Sequence, residues 1–128
     1  MREILFRGKR LDNGQWVYGY YVGDCGDGAC EIVDTGAACA PRITVDPATI
    51  GQYIGLQDRN GRRIFEGDII KSPRGPAFLV EYVDDISSFA ARARENTRWT
   101  PGLNKGTMQG YEVVGNRWDN PEILEVDQ

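Results

Sequence analysis

Histidine is absent from the 128 residues of this chain. The absence removes the commonest general base and the commonest metal ligand. It excludes Ser-His-Asp and Cys-His nucleophilic chemistry, and any His-ligated zinc, carried by this chain alone. Cysteine is scarce: Cys25, Cys30 and Cys39 stand at C-x4-C-x8-C spacing. An odd count without a CxxC pair, in a chain without a signal-type start, points to reduced thiols rather than a disulfide framework or redox motif. A zinc site would need a carboxylate such as Asp24, Asp27 or Asp34 as fourth ligand, an unusual set for structural zinc, so no metal is expected. Long apolar runs are also missing. No window approaches the roughly 18 apolar residues of a membrane span, and the opening MREILFRGKR offers an apolar run of only about three residues, too short for a signal-peptide core. The expected compartment is the cytoplasm. Cations are outnumbered, 15 against 19, for a net charge of −4. That balance argues against phosphate-driven nucleic-acid binding as the main task. No glycine-rich phosphate loop of P-loop or dinucleotide type is present, and no cofactor is expected.

What the chain does have is turn chemistry between short strands. One domain spanning residues 1–128 suits this length. Asp12-Asn13-Gly14 separates REILFRGKR from QWVYGYYVG, which predicts a β-hairpin over about residues 2–22. Alternation puts Trp16, Tyr18 and Tyr20 on one face and Val17, Gly19 and Tyr21 on the other. Residues 23–42, rich in Gly, Ala and Asp, read as loop, interrupted by a short strand near Cys30–Val33. Asp46-Pro47 suits a cap and first helical position. A strand over Gly51–Leu56 leads to Asp58-Arg59-Asn60-Gly61, a turn. A brief strand over Arg62–Phe65 leads to Glu66-Gly67-Asp68, a second bend that needs positive φ at Gly67. Ser72–Pro76 is loop, and Ala77–Val83 is a strand with Phe78, Val80 and Tyr82 opposite Leu79, Glu81 and Val83. Ile86, Phe89, Ala90 and Ala93 recur at helical spacing, so a helix is expected over Ile86–Asn96, capped by Asp84 or Asp85. Thr97–Gln109 reads as irregular, Tyr111–Gly115 as the last strand, and Asn120-Pro121 as the start of a short helical turn. Short strands with frequent turns predict a mainly-β fold, a small barrel or sandwich.

Three blocks carry a resemblance: FRGK with GQWVYG; VDPATIGQYIGLQDRNGRRIFEGDIIK; and YEVVGNRWDNPEIL. Together they resemble the YopX family, small proteins encoded largely by phages and prophages. The likeness runs from Arg2 to Leu124; the cysteine loop and the segment from Asp84 to Gln109 contribute nothing to it. It implies an SH3-type small β-barrel with an added N-terminal hairpin and one α-helix, the barrel core lying over about residues 43–115. It implies a phage or prophage origin, hence the host cytoplasm. It carries over no catalytic or ligand-binding residue.

Glu66 and Asp68 stand two apart and could form a metal-binding or acid–base pair. The intervening glycine instead makes them turn residues, Asp68 accepting backbone N–H groups. Arg59, Arg62, Arg63, Arg92, Arg94 and Arg98 could form a cationic surface, with Trp99 and Tyr111 as stacking platforms for single-stranded bases. Interleaved acids make a mixed, solvated surface the simpler reading. Trp16, Tyr18 and Tyr20 are read first as core facing the barrel; exposed, the same stripe would be a protein-interface anchor. The expectation is a non-enzymatic accessory protein working through protein contacts or self-association, with a nucleic-acid-binding barrel as the alternative. A metal-dependent enzyme using Glu66 and Asp68 is the second alternative.

Overall fold

The computed structural model describes residues 3–23, 30–93 and 103–126. Ten strands are arranged in two antiparallel sheets, of order β4-β3-β2-β1-β5-β6 and β10-β7-β8-β9. The fold is mainly β, as expected. Both strand orders are open, and no closed barrel is found among the described residues. The chain divides into two compact units, residues 1–53 and 54–128.

The first unit contains β1 (Phe6–Lys9), β2 (Trp16–Val22), β3 (Cys30–Asp34), β4 (Arg42–Val45) and the start of β5 (Gly51–Gln57). The predicted hairpin is present, with Phe6 opposite Gly19 and Lys9 opposite Trp16. Its turn is closed by Gly14, at φ 71°, donating to Arg10 O, and by Gln15 N donating to Asn13 Oδ1. Consecutive strands pair as a meander, and β1 also pairs with β5. At the far edge of β4, Val45 forms a bridge with Arg10. Leu11 N donates to Thr44 O there, and Asp46 N to Lys9 O. The Asp46-Pro47 cap behaves as its sequence predicts: Asp46 Oδ1 accepts Ala48 N at 3.0 Å and starts a 3-10 turn, Pro47–Thr49. Thr49 Oγ1 ties that turn to β1 by accepting Lys9 N at 2.8 Å. The core is Val17, Ile32 and Val45, with Phe6, Cys30, Ile43 and Ile50 packed against them.

The second unit contains the remainder of β5, β6 (Arg63–Phe65), β7 (Asp68–Lys71), β8 (Ala77–Val83), β9 (Ser88–Arg92) and β10 (Glu112–Asn116). Two short helices, α1 (Lys105–Met108) and α2 (Glu122–Val126), complete it. Its sheet is covered on both faces. Ile64, Ile70, Val80, Ala91, Met108 and Val113 form one core; Ile69, Ala77 and Leu79, with Ile123 and Leu124 of α2, form the other. Each fully buried Ile or Val here contributes roughly 1.5–3 kcal/mol.

One helix prediction fails. Within the expected helix over Ile86–Asn96, the described residues form strand β9, Ala90 pairing with Glu81 and Ala91 with Val80. Asp84–Ile86 is only a 3-10 turn, and Ser87 in the left-handed region (φ 49°) reverses the chain. Both faces of this sheet are buried, so Ala90 and Ala91 are buried together, and strand alternation is erased from the sequence. Helix α1 lies in the stretch read as irregular. Its start is a capping box in which Asn104 Oδ1 accepts Thr107 N and Thr107 Oγ1 accepts Asn104 N, with Thr in place of the usual Glu or Gln.

Candidate functional site

The two turns of the central block are built by carboxylates that face backbone. Asp58 is 7% exposed. Its Oδ1 accepts the N–H groups of Asn60 and Arg62 at 2.8 and 2.9 Å, and its Oδ2 accepts Val113 N, 55 residues away, at 2.9 Å. Burial pushes this carboxyl up, but the N–H donors of Val113, Arg62 and Asn60, with the Arg62 charge, outweigh it and hold the group below the ordinary carboxylate range. Asp58 thus closes its own turn and pins β10 at the same time. Arg59 N donates to Tyr111 O, and the Arg59 guanidinium lies 3.4 Å from Glu112, strengthening the same junction.

The second turn holds the other end of β10. Asp68, 1% exposed, accepts Phe65 N on Oδ2 at 2.8 Å, bracketing Glu66-Gly67. Gly67, at φ 88°, donates to Val80 O and accepts Arg117 N. The Trp118 indole lies directly over its Cα, where a Cβ would overlap the ring. Asn116 Oδ1 accepts the N–H groups of Trp118 and Asp119, and Asn120 Oδ1 accepts Asn116 N. Two blocks far apart in sequence, IFEGD and GNRWDN, are therefore one packed unit.

This geometry places Glu66 and Asp68 as turn residues. Glu66 is half-buried and Asp68 is enclosed. No group of three His, Cys, Asp or Glu side chains that could hold a metal is found among the described residues.

Among the described arginines of the expected cationic surface, Arg59 and Arg92 are engaged by carboxylates. Arg92 lies 2.8 Å from Glu81, each side chain 18% exposed, and Arg117 reaches the same carboxylate at 3.4 Å. Arg59 is engaged with Glu112. Arg62 and Arg63 are exposed. Arg94, Arg98 and the proposed platform Trp99 lie outside the described residues, as does Cys25. Cys30 and Cys39 are free thiols.

The hairpin face is where structure departs from expectation most usefully. Val17 and Gly19 face the core, and Ile32 and Val45 close in on them; Trp16, Tyr18 and Tyr20 are on the outer face. The core reading of that stripe is therefore corrected. Tyr18 is 41% and Tyr20 60% exposed, while Trp16 is half-buried. Trp16 carries the Arg7 guanidinium 4.4 Å and the Lys9 ammonium 5.6 Å from its ring centroid. Register brings further residues to this face: Arg7 beside Tyr18, Val33 beside Tyr20, and Arg42 beside Val33. The sequence reading missed Lys9, Val33 and Arg42 as neighbours of the stripe; strand order across the meander is the signal that joins them.

No helix among the described residues is long and apolar enough to cross a membrane. Among curated proteins, none matches this chain. The crystal structure of protein EF1440 from Enterococcus faecalis is similar in fold, with TM-score 0.62 and 20% identity over 97% of this chain and 99% of that one. The model of the family described as YopX protein matches residues 5–125, a span that includes both turn clasps and the hairpin, and the chain belongs to that family.

Proposed function

We propose that this chain is a non-enzymatic accessory protein, of the phage or prophage kind its family likeness implies, acting in the cytoplasm through protein contacts made by the outer face of the hairpin. The observation that carries this reading is the exposure of Tyr18 and Tyr20 on a paired, well-anchored strand. Tyr and Trp anchor interfaces because they bury large area at low entropic cost, and truncating such an anchor costs about 2 kcal/mol or more of binding. The acids of the central block support the same reading from the other side. Asp58 and Asp68 accept backbone N–H groups and are enclosed, which suits scaffolding rather than proton transfer.

The first unit is proposed to be the SH3-type barrel. Three features support it: the four-strand meander β1 to β4 with β5 returning to pair with β1, the 3-10 turn between β4 and β5, and the Arg10–Val45 bridge that returns β4 to the end of β1. On this proposal the barrel lies over β1 to β5, rather than over about residues 43–115 as the resemblance implied.

The test is affinity capture from induced cells with the wild type and with Tyr18→Ser plus Tyr20→Ser, nucleic acid and protein both analysed. Both positions are exposed, so the double variant is expected to melt within about 1 kcal/mol of wild type while losing its captured protein. Retention of the same protein by the double variant contradicts the proposal. Salt-sensitive capture of single-stranded nucleic acid by both forms would favour the arginine surface instead.

A further inference from the structure

We infer that the hairpin face receives a second copy of this chain, which docks on it with the tip of its β8–β9 hairpin. The inference rests on the protein-contact reading above and names its partner. The chain is acidic overall, at net charge −4, but the outer face of the first sheet is not. In register around Trp16, Tyr18 and Tyr20 stand Lys9 and Arg42, with Arg7 enclosed at 2% exposure against the Trp16 ring, and among the described residues of this face one acid, Glu31. Arg42 is well exposed and meets Glu31 only at 3.8 Å. The fitting partner for such a face is an exposed apolar knob flanked by carboxylates.

The chain carries one. At the β8–β9 tip, Ile86 is 51% exposed and follows two exposed carboxylates, Asp84 and Asp85. Tyr82, also exposed, stands at the base of the tip and packs edge-on against Phe89, its cross-strand partner, at 5.3 Å. The tip is held in shape by Ser87 N donating to Asp84 O. It is thus a preformed projection with an apolar end and a negative collar. Ile86 would lie against Tyr20 and Val33, and the Asp84 and Asp85 carboxylates beside Arg42, the cross-strand neighbour of Val33. Such a contact uses different patches on the two copies, so it is heterologous and propagates head to tail.

Sedimentation equilibrium of the full chain from about 5 to about 500 μM, a range that covers weak heterologous contacts, reads this directly. The expected result is an average mass that climbs above the 14.3 kDa of one chain and falls back as salt screens the charge pairs. Two variants, Ile86→Asp in the tip and Tyr20→Ala plus Arg42→Glu in the face, are each expected to stay monomeric with unchanged melting. Mixed in equal amounts they are expected to form a dimer and nothing larger, because one sound face meets one sound tip. A monomeric wild type throughout the range overturns the inference. So does association that Ile86→Asp leaves intact, or a folded mixture that stays monomeric. If the wild type is monomeric while Tyr18→Ser plus Tyr20→Ser still loses another captured protein, the self-docking falls and the protein-contact reading stands. If neither association nor capture depends on the face, both fall.

Discussion

Gly67→Ala is expected to lower stability by about 3–4 kcal/mol and the melting temperature by about 10 °C. Two costs add. At φ 88° the residue lies where an added Cβ is strained. That Cβ also meets the Trp118 indole, and overpacking a filled site costs roughly 1–3 kcal/mol. The backbone cannot easily retreat, because Gly67 is held on both sides, N to Val80 O and O to Arg117 N. Gly61→Ala separates the two costs. Its φ is 81°, but open space surrounds the new Cβ, so a loss of only about 1 kcal/mol is expected. Trp118→Ala introduced into Gly67→Ala should relieve the steric part. Urea titration of the three variants checks this. Equal losses at positions 61 and 67 would remove the indole from the explanation.

Asp58→Ala is expected to cost about 3–4 kcal/mol, because it strands three backbone N–H groups that share one carboxylate and sit on two elements. Asp58→Asn keeps one acceptor oxygen but turns an amide N–H₂ toward a donor, and about 2 kcal/mol is expected. The effect depends on pH with a definite sign. The folded-state pKa of Asp58 is depressed below its unfolded value, so the native state binds the proton less readily than the unfolded chain. Its stabilisation is fully present above the unfolded value, near about 4, and is lost as pH falls below that through the folded value. The gap in unfolding free energy between wild type and Asp58→Asn should be constant from neutral pH down to about 5 and shrink below about 4. A gap that widens on acidification would contradict the hydrogen-bond account.

Local turn chemistry was the most legible part of this sequence. Asn13-Gly14, Asp46-Pro47, Asn60-Gly61 and Glu66-Gly67-Asp68 each force the backbone in a way neighbouring residues cannot, and each sits where it was expected. The strand Ala77–Val83 was legible because Phe78 and Val80 alternate with Leu79 and Glu81. Strand β9 (Ser88–Arg92) was not: the adjacent buried Ala90 and Ala91 show no period of two, and chance spacing of Ile86, Phe89, Ala90 and Ala93 imitates a helix. The direction of the hairpin was also hidden. In sequence, Trp16, Tyr18 and Tyr20 read first as core, facing inward. In a small sheet closing on Val45 and Ile32, however, the inner positions need Gly8, Val17 and Gly19, and the bulky side chains turn out. The reach of Asp58 to Val113 had no local signal, since it is made by tertiary packing over 55 positions.

Whether the acids of the central block hold backbone rather than perform chemistry is tested most directly by a pH titration followed on individual amide protons by NMR. The amides of Asn60, Arg62 and Val113 are expected to shift together, along with the Asp58 carboxyl carbon, at one midpoint below the ordinary aspartate value. Asp58 titrating at or above that ordinary value, with the Val113 amide unmoved, would mean that the carboxylate is not held by these donors, and the account would be contradicted.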